Sequence, residues 1–270
     1  MKDRLFLYID ILGFAELVKH KKRVIELFKV LDAARLHRDS NFRAIVFSDT
    51  ILAYNRYSDL SNRALAVELM YLIELTQELF HRLIGKGIFF RAVITQGEFV
   101  YSKLKHLEAY YGEALISAYR AEKNLVGTGL FLDRKLRPLN AIFTFKAFSD
   151  QFDFIYLTHI CSGLMHWRRR DVDSDNDSED LDYPIPGSLL TDSGIELMIY
   201  PELVHFREIF TSMNEHHDPG VRAKHLATWN MYTRAYPGLM RALQVRNFDP
   251  KALADINWKK AKRNFEAYYR

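Results

Sequence analysis

Two aspartates near the start of the chain each follow an apolar run that is typical of a buried strand. Asp10 follows Leu5–Ile9, and Asp49 follows Ala44–Phe47 after one intervening serine. Both runs are rich in β-forming residues, and Gly13 allows a tight turn after the first of them. Two carboxylates at strand ends could hold Mg²⁺, which takes oxygen ligands and commonly shares them with substrate phosphates. Composition alone favours a plainer interpretation, in which each aspartate caps a turn or a helix.

A third motif favours the metal site. Residues 111–122 read YGEALISAYRAE, with Gly112, Ala118, Arg120 and Glu122 at fixed spacings. Together with the run YIDILGF at residues 8–14, these residues resemble the class III nucleotidyl cyclases. That family carries an F-x-D-I-x-G-F strand end, a G-D hairpin, an R-x-x-I-x-x-G strand and a W-G-x-x-V-N-x-A-S-R-x-E helix. Ser48-Asp49 matches the hairpin and Arg91 with Gly97 matches the strand, so the resemblance covers residues 4 to 160.

The resemblance implies an α+β fold with a ferredoxin-like class III cyclase catalytic core, β-α-β-β-α-β plus extra strands, and a C-terminal helical extension. We expect a catalytic domain over residues 1–165, an acidic linker over 166–199 and helices over 200–270 packed on the core. The apolar patterns predict the following elements. Helices are expected over Ala15–Leu36, 61–84 with Ser61 as cap, Gly112–Leu125, Leu203–Met213, Val221–Ala235 and Lys251–Tyr269; further strands over Ile88–Ile94, Gly129–Leu132, Ala141–Phe145 and Phe152–Leu157.

The chemistry that the resemblance implies is cyclisation of a nucleoside triphosphate with release of pyrophosphate. Two Mg²⁺ or Mn²⁺ ions would be held by Asp10 and Asp49, with the carbonyl of Ile11 as a further ligand. Backbone N–H groups at Gly13 and Phe14 would receive phosphates. The catalytic Arg120 would donate to the transition state across a head-to-tail homodimer with composite sites.

The residues that read a purine base in this family are not found at the matching positions. Ile45 stands where adenylyl cyclases carry lysine, Ala109 where they carry aspartate, and Ile116 where the family has a ribose-binding asparagine. This pattern resembles the pyrimidine cyclases of the Pycsar antiphage systems, which make cyclic UMP or cyclic CMP. The resemblance therefore implies a second messenger of antiphage defence.

Arg43, Ile45 and Phe47 alternate with Asp49, so we expect them to share a face and to line a base pocket together with Ala109. Arg43 offers only hydrogen-bond donors, which favours uracil with its two carbonyls, and hence UTP as substrate. Two plainer interpretations stay open: Phe47 as a core residue, and Arg43 at the solvent end of its strand.

Other functions also stay open. A degenerate cyclase-like domain that binds a nucleotide or a partner would explain Ile116, although the chain keeps Asp10, Asp49 and Arg120 together. A purine cyclase or another nucleotidyltransferase on a ferredoxin-like core is a further alternative. The run Phe47–Thr50 lacks the GG-D/E-EF pattern of diguanylate cyclases.

Composition bounds these functions. The 270 residues are 49% hydrophobic and 27% charged with a net charge of +4, which suits an anionic substrate and does not suggest a nucleic-acid binder. The single cysteine, Cys161, excludes an intramolecular disulfide. Since we find neither a signal peptide nor an apolar run long enough for a membrane, we expect a cytoplasmic protein without membrane contact. The segment DVDSDNDSEDLD (171–182) lacks the glycine of a calcium loop and is expected to be a solvated loop.

Overall fold

The computed structural model describes residues 3–34, 41–58, 60–165 and 181–268. Within them the strands are β1 (Asp3–Ile11), β2 (Phe42–Phe47), β3 (Thr50–Asn55), β4 (Phe90–Glu98), β5 (Val100–Lys103), β6 (Glu108–Tyr111), β7 (Gly129–Asp133), β8 (Phe145–Ala147) and β9 (Phe152–Ile155). The α-helices are α1 (Phe14–Leu17), α2 (Lys21–Ala33), α3 (Asn62–Leu83), α4 (Glu113–Asn124), α5 (His159–Met165), α6 (Ser188–Thr191), α7 (Glu196–Glu215), α8 (Pro219–Ala235), α9 (Pro237–Val245) and α10 (Trp258–Tyr268).

One sheet organises the first part of the chain. Its strand order is β2-β3-β1-β4-β7-β9-β8, and β5 and β6 form a separate hairpin. β1 is antiparallel to both β3 and β4, whereas β4 and β7 run parallel. The predicted α+β core is confirmed, because β1, its helices, β2, β3, α3 and β4 follow in the predicted order and more strands come after them.

The two faces of the sheet are covered by different helices. Alternate β1 residues, Phe6 and Tyr8, pack in a buried cluster with Ala114 and Ala118 of α4. Leu7, on the other face, lines a small apolar cavity together with residues of α2 and α3. This alternation is the strand period of two residues, and it puts Asp10 on the α4 face, in step with Phe6 and Tyr8.

The single helix predicted over Ala15–Leu36 is wrong. The chain forms the short α1, leaves helical geometry at His20 (φ −118°, ψ 82°) and starts again as α2. Val18 at the break is 49% exposed, so this apolar residue does not belong to the buried face of a single long helix. Residues 35 and 36 lie outside the described residues.

Other elements differ from the expectation in part. The strand predicted over Ala141–Phe145 starts only at Phe145, and the helix predicted from Lys251 is a 3-10 turn at Pro250–Ala252 followed by α10. The hairpin β5–β6 and helix α9 were not predicted. The helix over 61–84 is confirmed as α3, with the N–H of Ala64 donating to Ser61 Oγ at 3.3 Å.

The chain divides into two compact units. The first comprises Met1–Leu83, Ile88–Phe143 and Ala147–Leu157, and the second comprises Ile84–Gly87, Thr144–Lys146 and Thr158–Arg270. The predicted domain boundaries at 165 and 199 stay predictions. Most of the acidic segment 171–182 lies outside the described residues.

The second unit has an aromatic core. Trp229, Tyr232 and Trp258 are buried, whereas Tyr268 is 64% exposed and does not belong to that core. Cys161 is a buried free thiol. Among the described helices we find none whose length and hydropathy would suit a membrane crossing.

Candidate active site

Backbone pairing brings the Asp10 and Asp49 positions together. Asp10 pairs with Thr50 in the β1–β3 ladder, and Thr50 is the residue that follows Asp49 in the chain. The N–H of Ile11 donates to the carbonyl oxygen of Asp49 at 2.9 Å. Both aspartates are half-buried. The backbones of the two aspartates are therefore held at the same end of β1.

The turn that carries Asp49 has an unusual backbone. Phe47 pairs with Thr50, which leaves only Ser48 and Asp49 in the turn. Ser48 has φ 57°, in the left-handed region that residues other than glycine seldom adopt. Tight two-residue hairpin turns require a positive φ, so the pairing of Phe47 with Thr50 accounts for this conformation.

Tyr8 lies beside this carboxylate pair. Its hydroxyl shares a hydrogen bond of 3.5 Å with Thr50 Oγ1. Burial raises the pKa of Tyr8, and the negative charges of Asp10, Glu122 and Asp49 raise it further. All three carboxylates are thus close enough to act electrostatically on one phenol.

A buried ion pair joins α4 to the sheet next to Asp10. Arg91 lies opposite Asp10 in the β1–β4 ladder, and its Nη1 contacts Glu122 Oε1 at 2.7 Å. Its Nε donates to the carbonyl of Gly127 at 3.1 Å, and Nη1 also donates to the carbonyl of Glu122. Burial lowers the pKa of Arg91, while Glu122 and Asp10 oppose that shift. Arg91 Nη2 has no hydrogen-bond partner in the part of the chain that the structure describes.

The two motif glycines let α4 approach the sheet. Gly112 has φ 148°, and a Cβ there would lie 2.2 Å from the carbonyl oxygen of Glu98. A Cβ on Gly97 would lie 3.4 Å from the backbone nitrogen of Ala114. The helix then packs on β1 and β4 through the small side chains of its inner face. The glycine pattern of the sequence therefore has a direct packing cause.

Arg120 lies on the outer side of α4. Glu122 is on the side of α4 that faces the sheet, where it pairs with Arg91. Arg120 comes two residues earlier, which is a rotation of about 200° around the helix axis. Arg120 is accordingly exposed, as is Ile116 one turn earlier with 50% of its surface accessible. Asp10 and Asp49 thus lie at the sheet, while the predicted catalytic arginine is directed to solvent.

Arg43, Ile45 and Phe47 alternate along β2 but have different surroundings, whereas Ala109 lies in the separate β5–β6 hairpin. The guanidinium of Arg43 lies over the ring of Tyr101, 4.4 Å from its centroid. Hydrogen bonds to Tyr101 and Tyr54 raise the pKa of Arg43. Ile45 packs on the cluster beneath α4, whereas Phe47 is 78% exposed and is not part of the core.

Sequence reasoning missed the aromatic hairpin next to Arg43. The rings of Tyr101 and Tyr110 stack at 5.2 Å, and their hydroxyls donate to the two carboxylate oxygens of Glu108, each at 2.7 Å. The hydrogen bond to Glu108 raises the pKa of Tyr110 to about 12. Ala109, predicted to face the base, lies half-buried between Glu108 and Tyr110. The two runs, VYSK and EAYY, are short and have no regular alternation that would predict strands.

The donor set is compatible with a hard divalent cation. Within the described ranges no group of three or more histidine, cysteine or acidic side chains could hold a metal ion. Two carboxylates with nearby backbone oxygens suit Mg²⁺ or Mn²⁺ shared with a phosphate ligand, rather than a cage made by the protein alone. A helix does begin at Phe14 after Gly13 (φ 71°), although α1 has only four residues.

Comparisons with known proteins give likenesses in structure alone. Neither a family model nor a curated protein matches the chain. Among solved structures, 98 chains match. One is the catalytic core of a rhodopsin-guanylyl cyclase in complex with ATPαS, with 12% identity and a TM-score of 0.44 over 57% of this chain and 95% of that chain.

Two further matches have similar values. The adenylyl cyclase CyaB from P. aeruginosa has 13% identity and a TM-score of 0.40 over 57% of this chain and 93% of that chain. The guanylate cyclase domain of RhGC from Catenaria anguillulae, in complex with GTP, has 10% identity and a TM-score of 0.42 over 57% and 96%. Identities and TM-scores this low carry no argument about function, which depends on this chain's own residues.

Proposed function

We propose that the protein is a nucleotide cyclase that converts a nucleoside triphosphate to its 3′,5′-cyclic nucleotide and pyrophosphate. The observation that carries the proposal is the hydrogen bond of Ile11 to Asp49, which fixes the Asp10 and Asp49 positions at one end of β1. Paired carboxylates of this kind are a usual means of holding the divalent ions that accompany a triphosphate.

The reaction forms one bond and breaks another at the α-phosphorus. The substrate's 3′-oxygen attacks the phosphorus, the bond to the β-phosphate oxygen breaks, and the hydroxyl proton is released. Asp10 and Asp49 would hold Mg²⁺ or Mn²⁺, with the carbonyl of Ile11 as a further ligand; the bound metal supplies charge neutralisation and a more acidic hydroxyl. Backbone N–H groups at Gly13 and Phe14 would bind phosphate oxygens.

Arg120 would complete the site of a second copy. Because its side chain is on the exposed outer face of α4, it is available to a neighbouring chain. Its planar group of donors would bind the oxygens around the α-phosphorus as they gain charge. We therefore propose a homodimer with composite active sites.

The first test is direct. Purified protein is incubated with each of the four nucleoside triphosphates and Mg²⁺ or Mn²⁺, and products are identified by mass spectrometry. We expect cyclic UMP from UTP as the main product. A purine cyclic product would instead support the purine cyclase alternative. The absence of any cyclic product would support the degenerate, nucleotide-binding alternative suggested by Ile116.

The choice of UTP depends on Arg43, whose donors suit both carbonyls of uracil, whereas cytosine replaces one of them with an amine. We expect Arg43→Ala to lower kcat/KM for UTP more than for CTP. Since Arg43 also lies on Tyr101, the control is Tyr101→Phe, which removes a hydroxyl of the hairpin and keeps the cation. An equal loss with both nucleotides in Arg43→Ala would make Arg43 an anchor of the hairpin and remove it from the base pocket.

The resemblance to the Pycsar enzymes supports a biological role as well. A cyclic pyrimidine nucleotide made in the cytoplasm would act as the second messenger of an antiphage response. Infection of cells that carry the intact gene or an Asp49→Ala version, with measurement of cyclic UMP and of phage yield, tests this role.

A further inference from the structure

A line of contacts leads from the exposed side of α4 to the carboxylate pair. The ammonium of Lys123 lies over the ring of Tyr119, 4.3 Å from its centroid. Tyr119 meets Tyr8 edge to face, with 6.4 Å between ring centroids and 65° between ring planes. Tyr8 in turn shares its hydrogen bond with Thr50, which lies opposite Asp10. Lys123 is therefore connected by direct contacts to the end of the sheet that carries both aspartates.

The position of Lys123 on the helix suits a ligand-binding cation. Tyr119 and Lys123 are four residues apart and so lie above one another on α4. They lie between the inner side, where Glu122 binds Arg91, and the outer side, where Arg120 is exposed. Lys123 is also in the last turn of α4, where the helix dipole favours a positive charge.

Charge balance requires another cation at this site if a triphosphate is bound. Asp10, Asp49 and a nucleoside triphosphate together carry more negative charge than two divalent ions and the Arg120 of a second copy neutralise. Arg91 is the buried cation opposite Asp10 in the β1–β4 ladder. Its charge is already balanced by its ion pair with Glu122. Lys123 is exposed, and its contact with the uncharged ring of Tyr119 does not neutralise its charge.

We propose that Lys123 binds the terminal phosphates of the triphosphate held by Asp10 and Asp49 of the same chain, and that Tyr119 positions it. This inference rests on the proposed function, because that function supplies the triphosphate. Lysine is a common phosphate ligand that acts as a point charge, and an aromatic ring beneath the ammonium restricts where that group can go. Lys123 would thus bind the part of the substrate that leaves as pyrophosphate, distinct from the α-phosphate assigned to Arg120.

The test measures binding of inorganic tripolyphosphate in the presence of Mg²⁺ by titration calorimetry, and turnover of UTP separately. We expect Lys123→Met to raise the Kd for tripolyphosphate about tenfold, and Lys123→Arg to restore most of the affinity. Tyr119→Leu should raise the Kd by a smaller factor, because the charge stays but is less restricted.

In turnover, Lys123→Met should raise KM for UTP with a much smaller change in kcat. Lys29→Met, at an exposed lysine of α2, is the matched control and should change neither.

The possible outcomes separate this inference from the proposed function. A Kd for tripolyphosphate that is the same in wild type and Lys123→Met, or no binding of tripolyphosphate to the wild type, would overturn the role of Lys123. Cyclic product formation with an unchanged Kd in the variant would keep the cyclase and exclude Lys123. Binding that depends on Lys123 without any cyclic product would keep the phosphate site and exclude the cyclase.

Discussion

At the scale of single residues, the proposed mechanism depends first on the carboxylates of Asp10 and Asp49. We expect Asp10→Ala or Asp49→Ala to lower turnover about 100-fold or more, because each removes a charged oxygen ligand of the divalent ions. Asp3→Ala is the matched control, since Asp3 is an exposed aspartate at the opposite end of β1. Turnover with Mg²⁺ is measured together with circular dichroism, which should show unchanged folding. Near-normal activity in either variant would contradict the two-carboxylate metal site.

The sequence specified some of these residues better than others. The predicted strand before Asp10 is present, and the motif glycine Gly112 has a backbone conformation in which a Cβ would clash with Glu98. The surroundings of Arg43 could not be identified in the same way. Its contact with Tyr101 joins two strands that are far apart in the chain, and a hairpin that no periodic pattern made obvious has to form first.

At the scale of elements, long periodic segments were predictable and short irregular ones were not. The 22 residues of α3 repeat their apolar positions over several turns, and a helical pattern of that length rarely arises by chance. The break between α1 and α2 has no proline or glycine to mark it, since Val18, Lys19 and His20 are all compatible with a helix. Local helix propensity therefore did not indicate this break.

Helix α8 provides a pH-dependent element in the second unit. His225 is 2% exposed, and burial, followed by the positive charges of His216 and Lys224, lowers its pKa to about 4. At pH above 6.5 this histidine is neutral in both the folded and the unfolded state. As the pH falls from 6.5 towards 4, only the unfolded chain takes up the proton, so stability is lost over that interval.

The size of this effect can be measured. A difference of this size between the folded and unfolded pKa corresponds to about 3 kcal/mol of unfolding free energy between pH 7 and pH 4. We expect His225→Gln to reduce the pH dependence of the unfolding free energy by roughly that amount, as measured by urea denaturation at several pH values. His106→Gln, at an exposed histidine between β5 and β6, is the control. Equal pH slopes in wild type and His225→Gln would show that His225 titrates alike in both states.

At the scale of the whole molecule, the proposed chemistry divides the active site between two copies of the chain. Asp10 and Asp49 are fixed to the central sheet by backbone pairing, whereas Arg120 is exposed on the outside of α4. In a closed two-fold dimer, each copy would supply carboxylates to one site and an arginine to the other. The residues exposed around Arg120, such as Ile116, would then be covered by the second copy.

Mixing inactive variants tests this division of roles. Asp49→Ala and Arg120→Ala should each be inactive alone, but an equal mixture that exchanges subunits forms mixed dimers with one intact site. Random exchange makes half of the dimers mixed, with half of their sites intact, so about a quarter of wild-type activity should return. The matched control mixes Asp10→Ala with Asp49→Ala: both defects affect the carboxylate half of a site, so every site stays defective and no activity should return. Subunit exchange is verified by native mass spectrometry of differently tagged chains. No rescue in the test mixture despite verified exchange would mean that Arg120 acts within its own chain. Rescue in the control mixture would mean that Asp10 and Asp49 of one site can come from different chains.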